Sequence, residues 1–206
     1  MNKLSSKKNY FNIFKHKFLI KYNDLSKNDY YFTFLNKKIK IDNKHLANRN
    51  LIHWCINQNL FKKKSTFATE IFYEKKEMKV FEKLIKNSNH FIDVGSQTGI
   101  YSLAAYLSKK IKKIICIDIT KEYMNAIKNN IEINCYNPDK FEILNLGLGT
   151  GKICHKEWIS KTVTKGNSFN DILNITGLKL SDDDCIKIDI EGWEFFLAGE
   201  IGQYFK

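Results

Sequence analysis

The pattern of hydrophobic and polar positions in the second part of the chain alternates between short apolar runs and helical spacing. The apolar runs predict four buried strands, over residues 90–94, 111–119, 141–146 and 186–190. Helical spacing follows the first strand to about residue 109, and Thr120 as N-cap starts a second helix that runs to about residue 134. Strands that alternate with helices imply a parallel sheet with right-handed crossovers, so we predict an α/β fold.

Weaker patterns complete this part of the chain. Residues 68–86 have helical spacing in their second half, and residues 147–167 contain a candidate hairpin around Ile153 and Trp158. Ser168 is a candidate cap for a short helix that Gly177 would end. A last helix is predicted to open at Glu191-Gly192-Trp193.

The first part of the chain reads differently. Residues 1–28 are polar apart from an apolar island, residues 30–34 and 39–41 predict a hairpin around a polar turn, and residues 46–61 have mixed, moderately helical spacing. The run Lys-Lys-Lys-Ser-Thr over 62–66 is a polar break. We therefore divide the chain into an N-terminal extension, 1–66, and a core, 67–206.

The turn after the first core strand carries the clearest chemical signal. It contains Asp93, Gly95, Ser96 and Gly99, and two glycines here do not complete the G-x-G-x-x-G frame of dinucleotide-binding turns. An acid just before the turn repels a pyrophosphate but suits a ligand with a positive end, such as S-adenosyl-L-methionine. The alternative is an ordinary strand-to-helix turn without a ligand.

The ends of the second and third strands extend this candidate site. Asp118 lies about 20 residues beyond the glycine turn, where an acid accepts hydrogen bonds from ribose hydroxyls in nucleoside-binding sheets. Its alternative role is to cap the next helix or to end the strand in solvent. Ile119 adjoins Asp118, and Asn145 at the end of the third strand is placed to reach an adenine edge. We assign all three to the cofactor site.

The fourth strand places Lys187, Asp189 and Glu191 on one face. A lysine in a central strand needs a partner, so a structural ion pair is one interpretation. The other makes Asp189 the general base or the anchor of a substrate hydroxyl, with His155 as the less favoured base.

Three stretches of the chain resemble the FkbM-type S-adenosylmethionine-dependent methyltransferases. They are 91–102 with Asp118, the lead-in Ser-Phe-Asn-Asp-Ile-Leu at 168–173, and the fourth-strand motif at 186–194. The resemblance covers about residues 70–206. It implies a Rossmann-like class I methyltransferase sheet and an enzyme that O-methylates sugar or polyketide hydroxyls. It places Asp93, Gly95 and Gly99 beside the methionine part of the cofactor, Asp118 beside its ribose, and Asp189 and Glu191 at the reaction centre.

Two residues depart from the family pattern, since Asp118 stands where glutamate is more usual and Gln97 stands where a smaller residue is more usual. A class I sheet has seven strands, so we expect a C-terminal truncation that leaves the fourth strand at an edge. The N-terminal segment, a partner or a second copy would then cover that edge.

Composition narrows the classes of partner. The formal net charge is +12, yet Lys+Arg is 34 with Arg49 as the only arginine, which argues against a dedicated nucleic-acid binder. The five cysteines show no C-x-x-C spacing, so we predict buried thiols in a reducing, cytoplasmic setting and no metal site. No apolar run reaches the roughly 20 residues of a membrane span.

We therefore predict a SAM-dependent O-methyltransferase that acts on a hydroxyl of a glycan or a related small molecule. The alternatives are a non-catalytic remnant or binding module of the same fold, and an NAD-dependent oxidoreductase.

Overall fold

The computed structural model of the chain describes residues 29–65, 68–149, 151–156, 161–190 and 194–204. The apolar island within 1–28, the turn residue Trp158 and the predicted helix opening at 191–193 lie outside these ranges, as does the predicted catalytic residue Glu191.

The strands and helices alternate through most of the described chain. The strands are β1 Asp29–Phe34, β2 Lys37–Ile41, β3 Phe61–Lys63, β4 Ala68–Ile71, β5 His90–Val94, β6 Lys113–Asp118, β7 Phe141–Asn145, β8 Gly147–Leu148, β9 Lys152–Lys156, β10 Lys161–Asn167 and β11 Cys185–Ile188. The α-helices are α1 Leu46–Asn57, α2 Lys75–Ile85, α3 Ile100–Tyr106, α4 Lys121–Ile133, α5 Phe169–Thr176 and α6 Glu194–Ile201. Short 3₁₀ turns follow at Pro138–Lys140 and Gly202–Tyr204.

The central sheet has the order β11-β5-β6-β7, and its pairs are all parallel. These are the four strands that the apolar runs predict, so the α/β, Rossmann-like fold class is confirmed. Parallel strands are buried on both faces, which explains why each run is almost continuously apolar. Within the described residues β11 is an edge strand of this sheet, as expected; the predicted C-terminal truncation stays a prediction.

Two hydrophobic clusters cover the two faces of this sheet. Helices α2, α3 and α4 pack on one face with the aromatic residues of β1, and α5 and α6 pack on the other. Alternation along β5 divides its side chains between the clusters, with Phe91 in the first and Ile92 and Val94 in the second. The layers place the carboxyl ends of β5, β6 and β11 at one edge of the core.

The N-terminal hairpin is confirmed, with Tyr30 paired to Ile41 and Phe34 to Lys37. The same sheet, in the order β2-β1-β4-β3, includes β4, to which the sequence pattern assigned no strand. Strand β4 runs parallel to β1, so its formation depends on a partner some 40 positions earlier in the chain, as in the pair Tyr30–Thr69. The division of the chain at residue 66 stays a prediction, and the sheet joins strands from both sides of it.

The helix ends follow local rules with one exception. Ser168 accepts the backbone N–H of Asp171 in a capping box and Gly177 ends α5 at φ +63°, as predicted. Thr120 does occupy the N-cap of α4, but its hydroxyl makes no capping hydrogen bond. Its backbone N–H is instead bound by the carboxylate of Asp118 at 2.8 Å. Helix α3 ends at Tyr106, earlier than the predicted residue 109.

The candidate hairpin after β7 is also confirmed, since β9 and β10 pair antiparallel. Across the described ranges, no helix is both long and apolar enough to cross a membrane. The same ranges contain no group of three or more metal-binding side chains arranged to hold an ion.

Candidate functional site

The glycine turn between β5 and α3 is fixed by close contacts within the protein. Gly95 has φ +75°, and a Cβ on it would lie 1.8 Å from the carbonyl oxygen of Asp189. Gly99 has φ +80°, and a Cβ there would lie 2.8 Å from the side chain of Ile127. Both positions therefore need glycine for backbone conformation and for packing, independently of any ligand.

The carboxylate of Asp118 binds the main chain of this turn. One carboxylate oxygen accepts the backbone N–H of Gln97 at 2.9 Å, and the other accepts that of Thr120 at 2.8 Å. The carboxylate thus joins the glycine turn to the start of α4. Hydrogen bonds to an ionised group are among the stronger ones, so this acid determines the path of the main chain. The predicted ribose contact would have to share oxygens that already have partners.

Asn145 supports the same corner from the third strand. Its side-chain amide donates to the carbonyl oxygens of Asp118 and Ile119, both at 2.9 Å. Ile119 is half-buried and lies near Gly147. The amide therefore orders the loop after β6, and the predicted adenine contact stays a prediction.

Asp93 lies deeper than the sequence suggests. It is 1% exposed, and one oxygen accepts the hydroxyl of Ser102 at 2.6 Å. The other oxygen makes no hydrogen bond in the described structure and lies 3.8 Å from the ammonium of Lys187. Burial raises the pKa of Asp93, and the positive charge of Lys187 and the bond from Ser102 offset part of that rise.

Lys187 connects Asp93 to Asp189. Its ammonium lies 3.3 Å from Asp189 Oδ2 and 4.9 Å from the ring centre of Tyr101. The register explains this grouping, because Lys187 is paired with Asp93 across β11 and β5. The structural ion pair is therefore present, with Asp93 as a partner that sequence spacing did not predict. The side chain of Asp189 is 45% exposed, so it stays accessible to a substrate.

Three residues before and after the turn were missed by the sequence analysis. Tyr101 donates to Glu74 at 2.6 Å, and the rings of Tyr101 and Tyr73 meet edge to face with 6.4 Å between centres. Burial, followed by the charge of Glu74, raises the pKa of Tyr73. No local pattern marks the hydroxyl of Tyr101 as a hydrogen-bond donor, because its partner Glu74 lies 27 positions earlier in the chain.

Two non-glycine residues near the turn have left-handed backbone conformations. Glu74 has φ +41° and Gln97 has φ +45°. Such residues cost about 1–3 kcal/mol each and cluster at ligand-binding and catalytic sites. No sequence rule marks a glutamate or glutamine for this conformation, although Gln97 already departed from the pattern of the resemblance.

A small hollow lies at the carboxyl ends of β5 and β11. Its volume is about 10 Å³, roughly the space for one water molecule. Its lining includes Tyr73, Gln97, Tyr101, Lys187 and Asp189. Asp93 and Asp118 are not part of the lining, so of the three predicted acids only Asp189 faces the hollow.

Comparison with known proteins gives one family-model match and one weak likeness to a solved structure. Residues 75–160 match the family model described as ribosomal protein L11 methyltransferase (PrmA). No curated protein matches the chain. Among solved structures, the chain is similar to the methyltransferase FkbM from Methylobacillus flagellatus KT, with 17% identity over 57% of this chain and 30% of that chain, at a TM-score of 0.39.

The family-model match supports a methyltransferase. The family model covers the segment from α2 through β9, which includes the glycine turn, Asp118 and Asn145. The alignment to the solved structure spans under a third of that protein, and so low a TM-score carries no argument about activity. The FkbM-type specificity therefore stays a prediction.

Proposed function

We propose that this chain binds S-adenosyl-L-methionine at the glycine turn and transfers its methyl group to a nucleophilic acceptor. The observation that carries the proposal is the match of residues 75–160 to a methyltransferase family model, since that segment contains the whole turn and the acid of β6. The two strained residues beside the hollow, Glu74 and Gln97, support a ligand site at the same place.

The polar groups around the turn fit this cofactor in kind. S-adenosyl-L-methionine supplies an electrophilic methyl group on a sulfonium, and its positive charge suits Asp189, the carboxylate that faces the hollow. Asp118 holds the turn that faces the ligand, and Asn145 holds the loop behind it. Lys187 is paired with both the buried Asp93 and Asp189, so its single positive charge offsets only part of the negative charge of these two acids.

The size of the hollow sets a condition on the proposal. Pockets for ligands of this class have about 300–1,000 Å³, far more than the 10 Å³ between the described residues. Binding therefore requires side chains to move, and the lining offers long ones in Gln97 and Lys187.

Asp189 is the proposed proton acceptor. It is exposed and faces the hollow, and Lys187 holds one of its oxygens at 3.3 Å. A carboxylate in this position can take the proton from an acceptor hydroxyl during an in-line displacement, while the site contributes proximity and orientation. Glu191 is proposed to face the same reaction centre.

A hydroxyl of a glycan or small metabolite is our first candidate for the acceptor. A second candidate is a protein side chain, because the matching family model is named for a ribosomal protein methyltransferase. Incubating the chain with tritiated S-adenosyl-L-methionine and either polysaccharide or ribosomal protein, followed by scintillation counting of each fraction, separates the two.

Calorimetric titration with S-adenosyl-L-methionine tests the cofactor. We expect saturable heat at micromolar ligand, lost in Gly99→Ala and kept in Gly177→Ala, whose glycine also has positive φ but has no atom within 4 Å of a Cβ. Absence of heat in the unchanged chain would reject the cofactor and favour a non-catalytic remnant. A parallel titration with NADH, followed by its fluorescence, tests the oxidoreductase alternative.

Asp189→Asn tests the base separately. We expect cofactor binding within about twofold of the unchanged chain, and a methyl-transfer rate lower by about 10²-fold or more, the usual contribution of a positioned base. Full methyl transfer by this variant would remove Asp189 from that role.

A further inference from the structure

A second and much larger cavity lies beside α2. Its volume is about 430 Å³, within the range of pockets that bind small molecules. It is lined by residues 32–36 at the end of β1, residues 70–73 at the end of β4, one face of α2 with Lys75, Met78, Lys79 and Glu82, and Lys86 at the C-cap of that helix. We call this cavity the α2 groove.

The groove and the small hollow have one lining residue in common, Tyr73. Tyr73 is part of the lining of both cavities, and its ring contacts the rings of Trp54 and Tyr101. The groove then follows α2 from Lys75 to Lys86, which at 1.5 Å per residue is about 16 Å. Tyr73 therefore forms part of the wall of both cavities, and its movement would open the groove to the hollow.

Positive charge is concentrated at the end of the groove next to Tyr73. Lys86 forms an ion pair with Glu82 at 2.8 Å, whereas Lys75 and Lys79 have no carboxylate within 4 Å among the described residues. Lys75 and Lys79 are one helical turn apart, so their ammonium groups can bind the same anionic group. Lys75 also lies over the ring of Phe72, 5.4 Å from its centre, which keeps it at the groove.

The lining of the groove also includes a buried carboxylate, Glu70. Glu70 is 9% exposed, and its two oxygens contact the hydroxyl of Thr33 at 2.6 Å and the ammonium of Lys64 at 2.9 Å. Burial raises the pKa of Glu70, but the contacts with Thr33 and Lys64 outweigh that effect, and the net pKa is lowered. A carboxylate has about four acceptor sites, so Glu70 can also accept hydrogen bonds from ligand hydroxyls.

These features together define a ligand. It carries an anionic group for Lys75 and Lys79, hydroxyl donors for Glu70, and a body of small-molecule size. We propose that the α2 groove is the acceptor subsite of the methyltransferase and binds a polyhydroxylated anion, either a sugar phosphate or a sugar acid. The acceptor role rests on the proposed function, whereas binding in the groove does not.

Calorimetry with the full-length chain tests binding without any cofactor. The probes are glucose 6-phosphate, glucuronate and neutral glucose. We expect one or both anions to bind at least about tenfold more tightly than glucose, a difference of about 1.4 kcal/mol. Whichever anion binds more tightly identifies phosphate or carboxylate as the recognised group. Equal binding of glucose and the anions, or no binding of any probe at about 10 mM, would overturn the proposal.

A matched pair of charge reversals tests the location. Lys75→Glu with Lys79→Glu alters the groove, and Lys76→Glu with Lys83→Glu makes the same change of net charge on the same helix outside the groove lining. The first pair should weaken binding of the anion at least about tenfold, and the second less than about twofold. Equal weakening by both pairs would mean that net charge alone attracts the anion, and would overturn the proposal that it binds in the groove. Circular dichroism confirms that both variants fold.

Glu70→Gln tests the hydroxyl contact. It keeps the shape of the side chain and removes the charge, so glucose 6-phosphate should bind about threefold or more weakly while inorganic phosphate is unaffected. Equal loss for both ligands would mean that Glu70 acts only on the fold, and would remove the hydroxyl contact from the proposal.

The acceptor role has its own readout. If titration shows cofactor binding, tritium should pass from labelled S-adenosyl-L-methionine to the tighter-binding probe, and the Lys75→Glu, Lys79→Glu variant should raise KM more than it lowers kcat. Cofactor binding without transfer to a bound probe would overturn the acceptor role. Failure of cofactor binding would reject the proposed function, and the probe titrations would still decide whether the groove binds anions.

Discussion

Asp93 and Asp118 lie at the ends of neighbouring parallel strands, but side chains bind Asp93 whereas main-chain N–H groups bind Asp118. Register places Asp93 beside Cys116, two residues before Asp118, so both acids belong to the same face of the sheet. Asp93 is bound by side chains, the hydroxyl of Ser102 and the ammonium of Lys187. Asp118 is bound by main chain, the N–H groups of Gln97 and Thr120.

This difference separates two functions of an acid at a strand end. Asp118 determines the path of the backbone around the glycine turn, so changing it should change local geometry. Asp93 contributes charge to a buried region where Lys187 balances it, so changing it should alter electrostatics and leave the turn in place. Gly95 follows Asp93 by two residues, and its lack of a side chain lets the carbonyl of Asp189 approach the turn.

Replacing Gly95 should have the largest effect. Gly95→Ala places a Cβ 1.8 Å from the carbonyl oxygen of Asp189 and forces alanine to φ +75°, so we expect a loss of more than about 3 kcal/mol in the free energy of unfolding. Gly177→Ala should cost about 1 kcal/mol, because that Cβ meets open space. Urea denaturation of both variants measures the difference, and similar losses would contradict the close approach of β11 to the turn.

Asp118→Ala should have the next largest effect, a loss of about 2–3 kcal/mol, because it removes two hydrogen bonds to an ionised group. Amide hydrogen exchange should increase at Gln97 and Thr120. Unchanged exchange at both amides would mean that the acid does not hold the turn.

Ser102→Ala tests the side-chain hydrogen bond to Asp93. Asp93 loses its hydroxyl donor, so we expect a loss of about 1–2 kcal/mol and no faster exchange at Gln97. Loss of a bond that favours the charged form should also raise the pKa of Asp93 further. Faster exchange at Gln97 in this variant would show that the two acids are coupled.

Asp93→Asn should change the free energy of unfolding least at low pH and progressively more at higher pH. Because burial raises the folded-state pKa of Asp93, the folded state binds more protons than the unfolded state, and stability falls as pH rises through the ordinary aspartate range of about 3.9 and on to the folded pKa. The variant lacks this decline. Urea denaturation between about pH 4 and pH 8 should therefore show the asparagine variant gaining stability relative to the unchanged chain. If the free energies of unfolding of the two proteins changed equally with pH, Asp93 would not be the source of the pH dependence.

The sequence was most informative where the structure depends on local pattern. The four apolar runs of the central sheet, the hairpin of β1 and β2, and the helix cap at Ser168 all formed as predicted. In each case the decisive residues lie within a few positions of one another. Strand β4 was not predicted because its stability depends on pairing with β1, far earlier in the chain.

The candidate site divides in the same way. Strand period and chain order predict from the sequence that acids and glycines meet at the carboxyl ends of parallel strands. The folded structure was needed to show which acid faces solvent, which is buried against Lys187 and which binds the backbone. Those outcomes depend on strand register and on φ angles at Glu74 and Gln97, and both are set by packing between distant segments rather than by residue type.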